Sequence, residues 1–388
     1  MNYFEWEGFP SKSKVKNALN EALKIVDRNL IRIGENFTED GSKNGRYILA
    51  PNYRWTSSFL TGVLWIAFEL TGEEKYKSLA KKHVVSFKDR LESKYALNHH
   101  DLGFLYSLSC VADYKITGNE EAKEIALKAA DMLINRFNQK GEFIVAWGTL
   151  GKDNKDNGAN YFIIDCLYNI PLLYWATEVS GDAKYADIAK KHLDTTVKYI
   201  MREDGSTYHK YEFDYETGAP IGGATVQGAF DESCWSRGQA WGVGGFALNY
   251  NATEDERNIS CFKSVLNYCI DHFPSDYVPF WDFAFKDGDD EPRDSSAAVI
   301  ILCGIMEMAK YLPEDDKDLP RYKEVAGKIF NSIIDNYAAK FDMDCDGLIL
   351  RGTGSVPHNM CVDECTVWGD YFYMEAIIRC LKDWKMYW

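Results

Sequence analysis

The chain predicts an all-α protein, a closed (α/α)6 barrel of six helical hairpins, and three observations carry that prediction. Apolar residues recur at spacings of three and four through twelve segments, the period of a helix with one buried face. The run Leu70-Thr71-Gly72-Glu73-Glu74-Lys75-Tyr76, continuing to Ala80-Lys81-Lys82-His83, is echoed by Val179-Ser180-Gly181-Asp182-Ala183-Lys184-Tyr185, continuing to Ala189-Lys190-Lys191-His192. Long Gly-rich and aromatic stretches at 31–54, 138–159, 202–233, 274–293 and 339–365 recur at one place in the hairpin cycle, which puts them at one mouth of a ring.

In chain order the predicted helices are 13–30, 55–71, 74–92, 101–117, 119–137, 160–180, 182–201, 234–250, 254–273, 294–312, 318–338 and 366–382. Ile116-Thr117-Gly118 opens a third copy of the repeat. In each copy glycine is the left-handed C-cap of an apolar helix, and acidic residues then open the next helix, where its dipole favours them. The stretch 208–223 (YHKYEFDYETGAPIGG) predicts a short strand pair. No low-complexity linker or shift in composition divides the chain, so residues 1–388 are expected to be a single catalytic domain.

Lys and Arg number 44 against 59 Asp and Glu, a net charge of −15, so the basic field on which nucleic-acid binding rests is missing. Apolar stretches such as 297–305 fall short of the roughly 18 residues of a membrane span. The opening MNYFEWEGFP lacks a basic region followed by an apolar run. The expectation is a soluble, unexported, cytoplasmic protein with neither membrane nor nucleic acid as partner, a monomer or weak homo-oligomer. Ten scattered cysteines form no C-x-x-C pair and read as buried reduced thiols. The N-x-S/T triplets at Asn36, Asn251 and Asn258 carry no glycosylation meaning without export. Aromatic residues, 11 Trp, 24 Tyr and 21 Phe, are in excess, and such numbers either fill a core or line a sugar cleft.

Two carboxylates stand out. Asp101, in His99-His100-Asp101-Leu102-Gly103-Phe104, opens a helix and can act as cap or first-turn anion beside unsatisfied N–H groups. Asp165 lies in Tyr161-Phe162-Ile163-Ile164-Asp165-Cys166-Leu167-Tyr168, read as helix with apolar neighbours on nearly every face, where burial pushes a carboxyl upward. One carboxylate held ionised and one readily protonated is a pairing suited to acid/base chemistry. A mere cap and a carboxylate satisfied by a neighbouring helix are the structural alternatives.

The run 231–241 leads from a long loop into a helix on which Trp235, Arg237 and Trp241 can line a cavity, or simply pack. His209 and Gln227 flank the same loop. Asp342-x-Asp344-x-Asp346-Gly347 copies half of a calcium loop, but its twelfth position is Thr353 and not a bidentate Glu, so an acidic turn is the expectation. No H-x-x-x-H or H-E-x-x-H occurs, and neither metal nor cofactor is expected.

In combination these residues resemble the unsaturated glucuronyl hydrolases, glycoside hydrolase family 88. The resemblance runs from Arg54-Trp55-Thr56, Gly62 and Leu64-Trp65 through His99 to Phe104, Asn160 to Asp165 and Cys234 to Gly242. It continues through Pro279 to Phe283, Glu291 to Ser296 and Trp368 to Tyr373. It implies an (α/α)6 barrel that removes the 4,5-unsaturated uronate left by polysaccharide lyases at the non-reducing end of an oligosaccharide. The implied chemistry protonates C4 of the enol ether and adds water at C5, giving a hemiketal that opens and expels the remaining saccharide. Asp165 matches the residue that gives the proton and activates the water, and Asp101 matches the second essential carboxylate. By the same carry-over His100, Trp55, Trp147, His209, Gln227, Arg237 and Trp241 line the site for the unsaturated sugar.

Three departures stand out. The loop 151–157 after Trp147 is longer than in relatives, and Thr225-Val226-Gln227-Gly228 stands where many have Thr-His-Gln-Gly. Relatives that favour sulfated fragments carry Ser-x-x-Ser-x-Lys before Val-Asp-Glu, where this chain has Ser355, His358 and Met360 before Val362-Asp363-Glu364. A preference for unsulfated disaccharides follows.

The rival readings are an unsaturated rhamnogalacturonyl hydrolase, against which the His-His-Asp-Leu-Gly-Phe run argues, a sugar epimerase, which needs two histidine bases facing across the ring where neither candidate, His100 or His209, has an obvious opposed partner, and a non-catalytic carbohydrate-binding toroid.

Overall fold

Three glycines end helices in the backbone conformation that the repeat demands. Gly72, Gly118 and Gly181 have φ of 75°, 71° and 74°, and each donates its N–H to the carbonyl four residues back. A side chain there would cost about 1 kcal/mol, since only glycine enters this region without a Cβ penalty. The computed structural model describes residues 1–148, 150 and 160–388; the 151–157 insertion falls outside these.

The glycine caps turn the chain between α2 (Ser57–Thr71) and α3 (Glu74–Ser93), between α5 (Ala112–Thr117) and α6 (Glu120–Ile134), and between α7 (Pro171–Ser180) and α8 (Lys184–Tyr199). Before α2 comes α1 (Lys12–Ile33), and α4 (Leu102–Tyr106) runs into α5 through a π turn at Ser107–Val111. After α8 come α9 (Ser236–Thr253), α10 (Arg257–His272), α11 (Ser295–Met308), α12 (Leu319–Ser332) and α13 (Val367–Leu381).

The pattern of burial sorts the helices into two rings. Every residue of α11 is buried, as is α9 from Ser236 to Asn249, so these helices are enclosed on all sides. In α1 the buried residues are Val15, Ala18, Leu19, Ala22, Ile25, Val26, Asn29 and Ile33, a single stripe, so α1 is an outer helix. The inner helices α2, α4, α7, α9, α11 and α13 pack in sequence and α13 closes on α2, while α3, α6, α8, α10 and α12 lie outside. This is the (α/α)6 ring. Where α9 and α11 cross, a Cβ on Gly304 would lie 2.8 Å from the Cα of Gly244, so two backbones touch there.

The loops at the mouth hold more strand than the sequence predicted. Residues 31–54 contain an antiparallel hairpin, β1 (Phe37–Lys43) and β2 (Arg46–Ala50), turned at Asn44-Gly45 with both φ positive. Two short strands, β3 (Phe137–Asn138) and β4 (Phe143–Ile144), pair ahead of Trp147. The strand pair foreseen in 208–223 is β6 (Lys210–Phe213) and β7 (Pro220–Ala224). It gains a third strand, β5 (Tyr161–Ile163), from the segment read as helix 160–180. That expectation is corrected: Ile164–Tyr168 is a 3-10 turn, and the helix begins only at Pro171. Aromatic and β-branched residues in Tyr161-Phe162-Ile163 suit a strand, and proline favours the first helical position.

The acidic turn is occupied by the protein's own cations. Asp346 is buried and accepts from Arg46 Nη1 at 2.8 Å and Tyr47 N at 2.9 Å, with Arg32 also bound to it. Among the described residues no group of three or more His, Cys, Asp and Glu is placed to hold a metal, and no helix is long and apolar enough to cross a membrane. The aromatic excess serves both core and mouth: Trp65, Trp241 and Trp368 are fully buried, while Trp55 and Trp147 are partly exposed.

Candidate active site

Asp101 sits at the N-cap position of α4 but makes no capping bond, so the expected cap role is corrected. Its carboxylate turns instead to two imidazoles, with Oδ2 3.0 Å from His99 Nδ1 and Oδ1 3.3 Å from His100 Nε2. The two histidines are held by the strand at the mouth: His99 forms an antiparallel bridge with Trp147, and His100 N donates to Ala146 O at 2.8 Å. Arg136 braces that strand, donating to Val145 O at 2.8 Å and Gly148 O at 3.2 Å. Burial opposes charge on Asp101, yet His100, His99 and the Arg136 guanidinium outweigh it and hold the carboxyl below its ordinary value. Burial also lowers His100 to about 4, so this imidazole is neutral at pH 7.

Asp165 lies in the 3-10 turn between β5 and α7 and is only 8% exposed. Its Oδ1 has no hydrogen-bond partner among the described residues. Burial first, and the charge of Asp101 second, raise it to about 7, with Arg237 pulling the other way. The contrast expected from the sequence is therefore present, although its cause at Asp101 is histidine and arginine and not a helix dipole.

Asn169 ties the two carboxylate-bearing segments together. Its Oδ1 accepts from Phe104 N at 2.8 Å, and its Nδ2 donates to Asp165 O at 3.2 Å. A Cβ on Gly103 would lie 2.3 Å from the Cα of Asn169, so glycine is what lets α4 come this close.

His209 precedes β6, where its carbonyl accepts from Ile164 N at 3.0 Å, one residue before Asp165. Its Nδ1 accepts from Val226 N at 3.1 Å and Gln227 N at 3.2 Å, so Nε2 carries the proton and is buried without a partner among the described residues. Burial lowers His209 to about 3, and its ring lies on Trp235 with centroids 4.4 Å apart. The loop bearing Gln227 is held by buried Asp282, which accepts from Ala229 N at 3.0 Å and Ser233 Oγ at 2.6 Å.

Arg237, fully buried at the start of α9, donates to Asp294 Oδ2 at 2.9 Å, to Thr353 O and to Gly354 O at 2.6 Å. It is sandwiched between Trp235 and Trp368, 4.5 and 4.9 Å from their ring centroids. Next along from Gly354, Ser355 bonds its hydroxyl to His358 Nδ1 at 2.8 Å and pairs backbone to backbone with Met360 at 2.9 Å. Trp55 lies at the rim against Trp368 and Phe104, at 5.5 and 5.6 Å, and Trp147 faces His209 at 6.4 Å. Trp241 is buried with its indole N–H unpartnered among the described residues.

Short chains of contacts, through Trp368, Phe104 and Ile164 among others, connect the ten residues singled out in the sequence. Reading the sequence missed His99, Arg136, Asn169, Asp282 and Asp294. Asp294-Ser295-Ser296 ahead of an apolar run is an N-cap signal that was present, and Asp294 Oδ1 does accept from Ser296 N at 3.1 Å. Arg136 and Asn169 carry no pattern, because their partners lie far along the chain or on its backbone.

The profile of Glycosyl Hydrolase Family 88 matches residues 32–383. This chain belongs to family 88. Among family 88 relatives, the unsaturated chondroitin disaccharide hydrolase of Streptococcus pneumoniae is 44% identical over 97% of this chain and 94% of its own. A crystal structure of unsaturated glucuronyl hydrolase from Streptococcus agalactiae superposes with a TM-score of 0.94 at 43% identity, over 98% of this chain and 95% of the other. A variant of that enzyme complexed with dGlcA-GalNAc6S matches with a TM-score of 0.86 at 40% identity, over 96% and 93% of the two chains. The family 88 assignment makes the chain a glycoside hydrolase and agrees with the (α/α)6 ring.

Proposed function

We propose that this hydrolase removes the 4,5-unsaturated uronic acid from the non-reducing end of lyase-generated glycosaminoglycan-type disaccharides, by hydration of the enol ether. The observation that carries the reading is the pairing of Asp165, raised to about 7, with Asp101, which stays low. A general acid at neutral pH must retain its proton, and a carboxyl raised to about 7 does so in a large fraction of molecules, where an ordinary aspartate does not. Asp165 gives that proton to C4, and as carboxylate takes one from the water that adds at C5. The resulting hemiketal opens, the C1–O bond to the remaining saccharide breaks, and the saccharide leaves with a proton. Asp101 keeps its charge and so keeps Asp165 protonated. The buried Nε2–H of His209, without a partner among the described residues, is a donor for a sugar oxygen, the Trp241 indole N–H lies by the Asp165 carboxyl, and Trp55 and Trp147 form the apolar rim.

The epimerase reading needs His209 as a base, but its Nδ1 lone pair is already engaged by two backbone N–H groups. The mouth also favours unsulfated substrates: the Ser355 hydroxyl is taken by His358, and Met360, 44% exposed, offers a thioether where a sulfate needs a cation or donors. We take the chain as one catalytic domain, which the family match over 32–383 supports, and as cytoplasmic, a compartment whose resting state suits its ten free cysteines.

The test is the purified protein on a panel of unsaturated disaccharides, following loss of the ultraviolet absorbance of the conjugated double bond. Decay of that absorbance with release of the hexosamine is expected. Release of saccharide with the absorbance intact would overturn the reading.

A further inference from the structure

Cys345 and Cys365 lie twenty residues apart in sequence with their Sγ atoms 3.2 Å apart, and both are buried. We propose that this pair is a modification site, converted by a small oxidant, hydrogen peroxide, into a disulfide that clips the frame of the active site.

The two backbones are fixed from outside. Cys365 N donates to Ser42 Oγ at 3.0 Å and Cys365 O accepts from Ser42 N at 2.8 Å, which anchors it to β1. Cys345 O accepts from the Arg28 guanidinium on α1, and the following residue, Asp346, is held by Arg46 and Tyr47. Gly347 makes room for the pair: a Cβ there would lie 2.3 Å from Cys365 Cβ and 2.5 Å from its Sγ. A disulfide bond is about 2.0 Å long, so the sulfurs need approach by only about 1 Å, within reach of side-chain rotation.

The thiols are unequal. The hydrogen bond from Cys365 pulls the Cys345 thiol below its usual value against its burial, and the Arg28 charge adds to this, while the same contact pushes Cys365 up. Cys345 is therefore the sulfur that attacks. Its thiolate displaces hydroxide from peroxide, which takes up a proton and leaves as water, and Cys345 becomes a sulfenic acid. Cys365 sulfur then attacks Cys345 sulfur, and its proton departs with the hydroxyl as a second water. Two thiols are oxidised to one disulfide, and one peroxide is reduced to two waters.

The segment closed by this bond carries the Thr353 and Gly354 carbonyls that accept from Arg237, and it carries Ser355. Cross-linking it removes freedom from the unfolded chain and raises the stability of that frame.

The test uses the full-length protein before and after hydrogen peroxide, with unreduced peptide mapping and thermal unfolding. The expected result is a cross-linked peptide joining Cys345 to Cys365, reversed by dithiothreitol, with a thermal midpoint several degrees above that of the reduced protein. In Cys365→Ser the cross-link and the thermal gain should vanish and sulfenic acid should accumulate on Cys345. Oxidation of half-buried Cys361 with no Cys345–Cys365 cross-link would overturn the proposal, and so would an equal thermal gain in Cys365→Ser. If that variant fails to fold, the peptide map of the unaltered protein decides the question by itself.

Discussion

Asp165 is raised by burial and, next, by the charge of Asp101, while Asp101 is held low by the imidazoles and guanidinium around it. The protonation of one carboxyl thus depends on the ionisation of the other. Activity that needs Asp165 protonated and Asp101 charged should be flat across the weakly acidic range and fall as pH rises through about 7. Asp101→Asn removes a negative neighbour, so Asp165 loses its proton more readily. The alkaline limb should move to lower pH, and the rate should drop by ~10²- to 10⁴-fold. Asp165→Asn should abolish turnover while binding persists. Turnover within tenfold of the parent, or an unmoved limb in Asp101→Asn, would remove these roles.

Isotopes separate hydration from direct glycosidic cleavage. In heavy water the released uronate should carry deuterium at C4, and in H₂¹⁸O the label should appear at C5. Label at C1, read by mass spectrometry of product fragments, would mean attack at the anomeric carbon.

Asn169 joins the backbone of Phe104 to that of Asp165 and is fully buried. Asn169→Leu leaves an N–H and a carbonyl unpaired, at a cost of about 1–3 kcal/mol in urea unfolding. Because the two carboxylates lose their fixed relation, kcat should fall more than KM rises. Loss of stability with kcat unchanged would limit Asn169 to a structural role.

On matched sulfated and unsulfated disaccharides, kcat/KM should favour the unsulfated partner, since Met360 brings no charge to a protein of net charge −15. A charge-assisted hydrogen bond contributes roughly 1.5–3 kcal/mol, so Met360→Lys should raise the sulfated substrate by about one to two powers of ten. Equal turnover of both by the parent would show that another basic group receives the sulfate.

At the opposite end of the barrel, buried Arg379 binds Glu307 and donates to Glu375 at 2.9 Å. Burial alone would raise Glu307, but the charges of Arg379 and Lys310 lower it to about 2. A carboxyl lowered on folding stabilises the protein above its unfolded value near 4.5, and that stability is lost as pH falls towards about 2. Arg379→Met takes the Arg379 guanidinium from Glu375 and leaves Glu307 with Lys310 alone, and should cost about 3–5 kcal/mol at pH 7, with the loss shrinking in acid as the carboxylates become protonated. Denaturant titrations at pH 7 and pH 4 measure the difference.

The helical ring was legible because its signals are local. Three- and four-residue periodicity separates the single stripe of α1 from the all-round apolar surface of α11, and Gly72, Gly118 and Gly181 mark hairpin turns that no other residue makes without strain. The hairpin at Asn44-Gly45 has an equally local signal, an Asn-Gly turn, set inside a stretch whose length otherwise reads as loop. The strand at Tyr161–Ile163 could not be told from helix by periodicity, since a short apolar run fits both until β6 supplies its partner. At the site, the sequence marked Asp101 and Asp165 as opposites, because an apolar neighbourhood is visible along the chain. It could not show why Asp101 stays charged. That was decided when the fold brought Arg136, His99 and His100 around one carboxylate, since Coulomb energy depends on distance in space and not on separation in sequence.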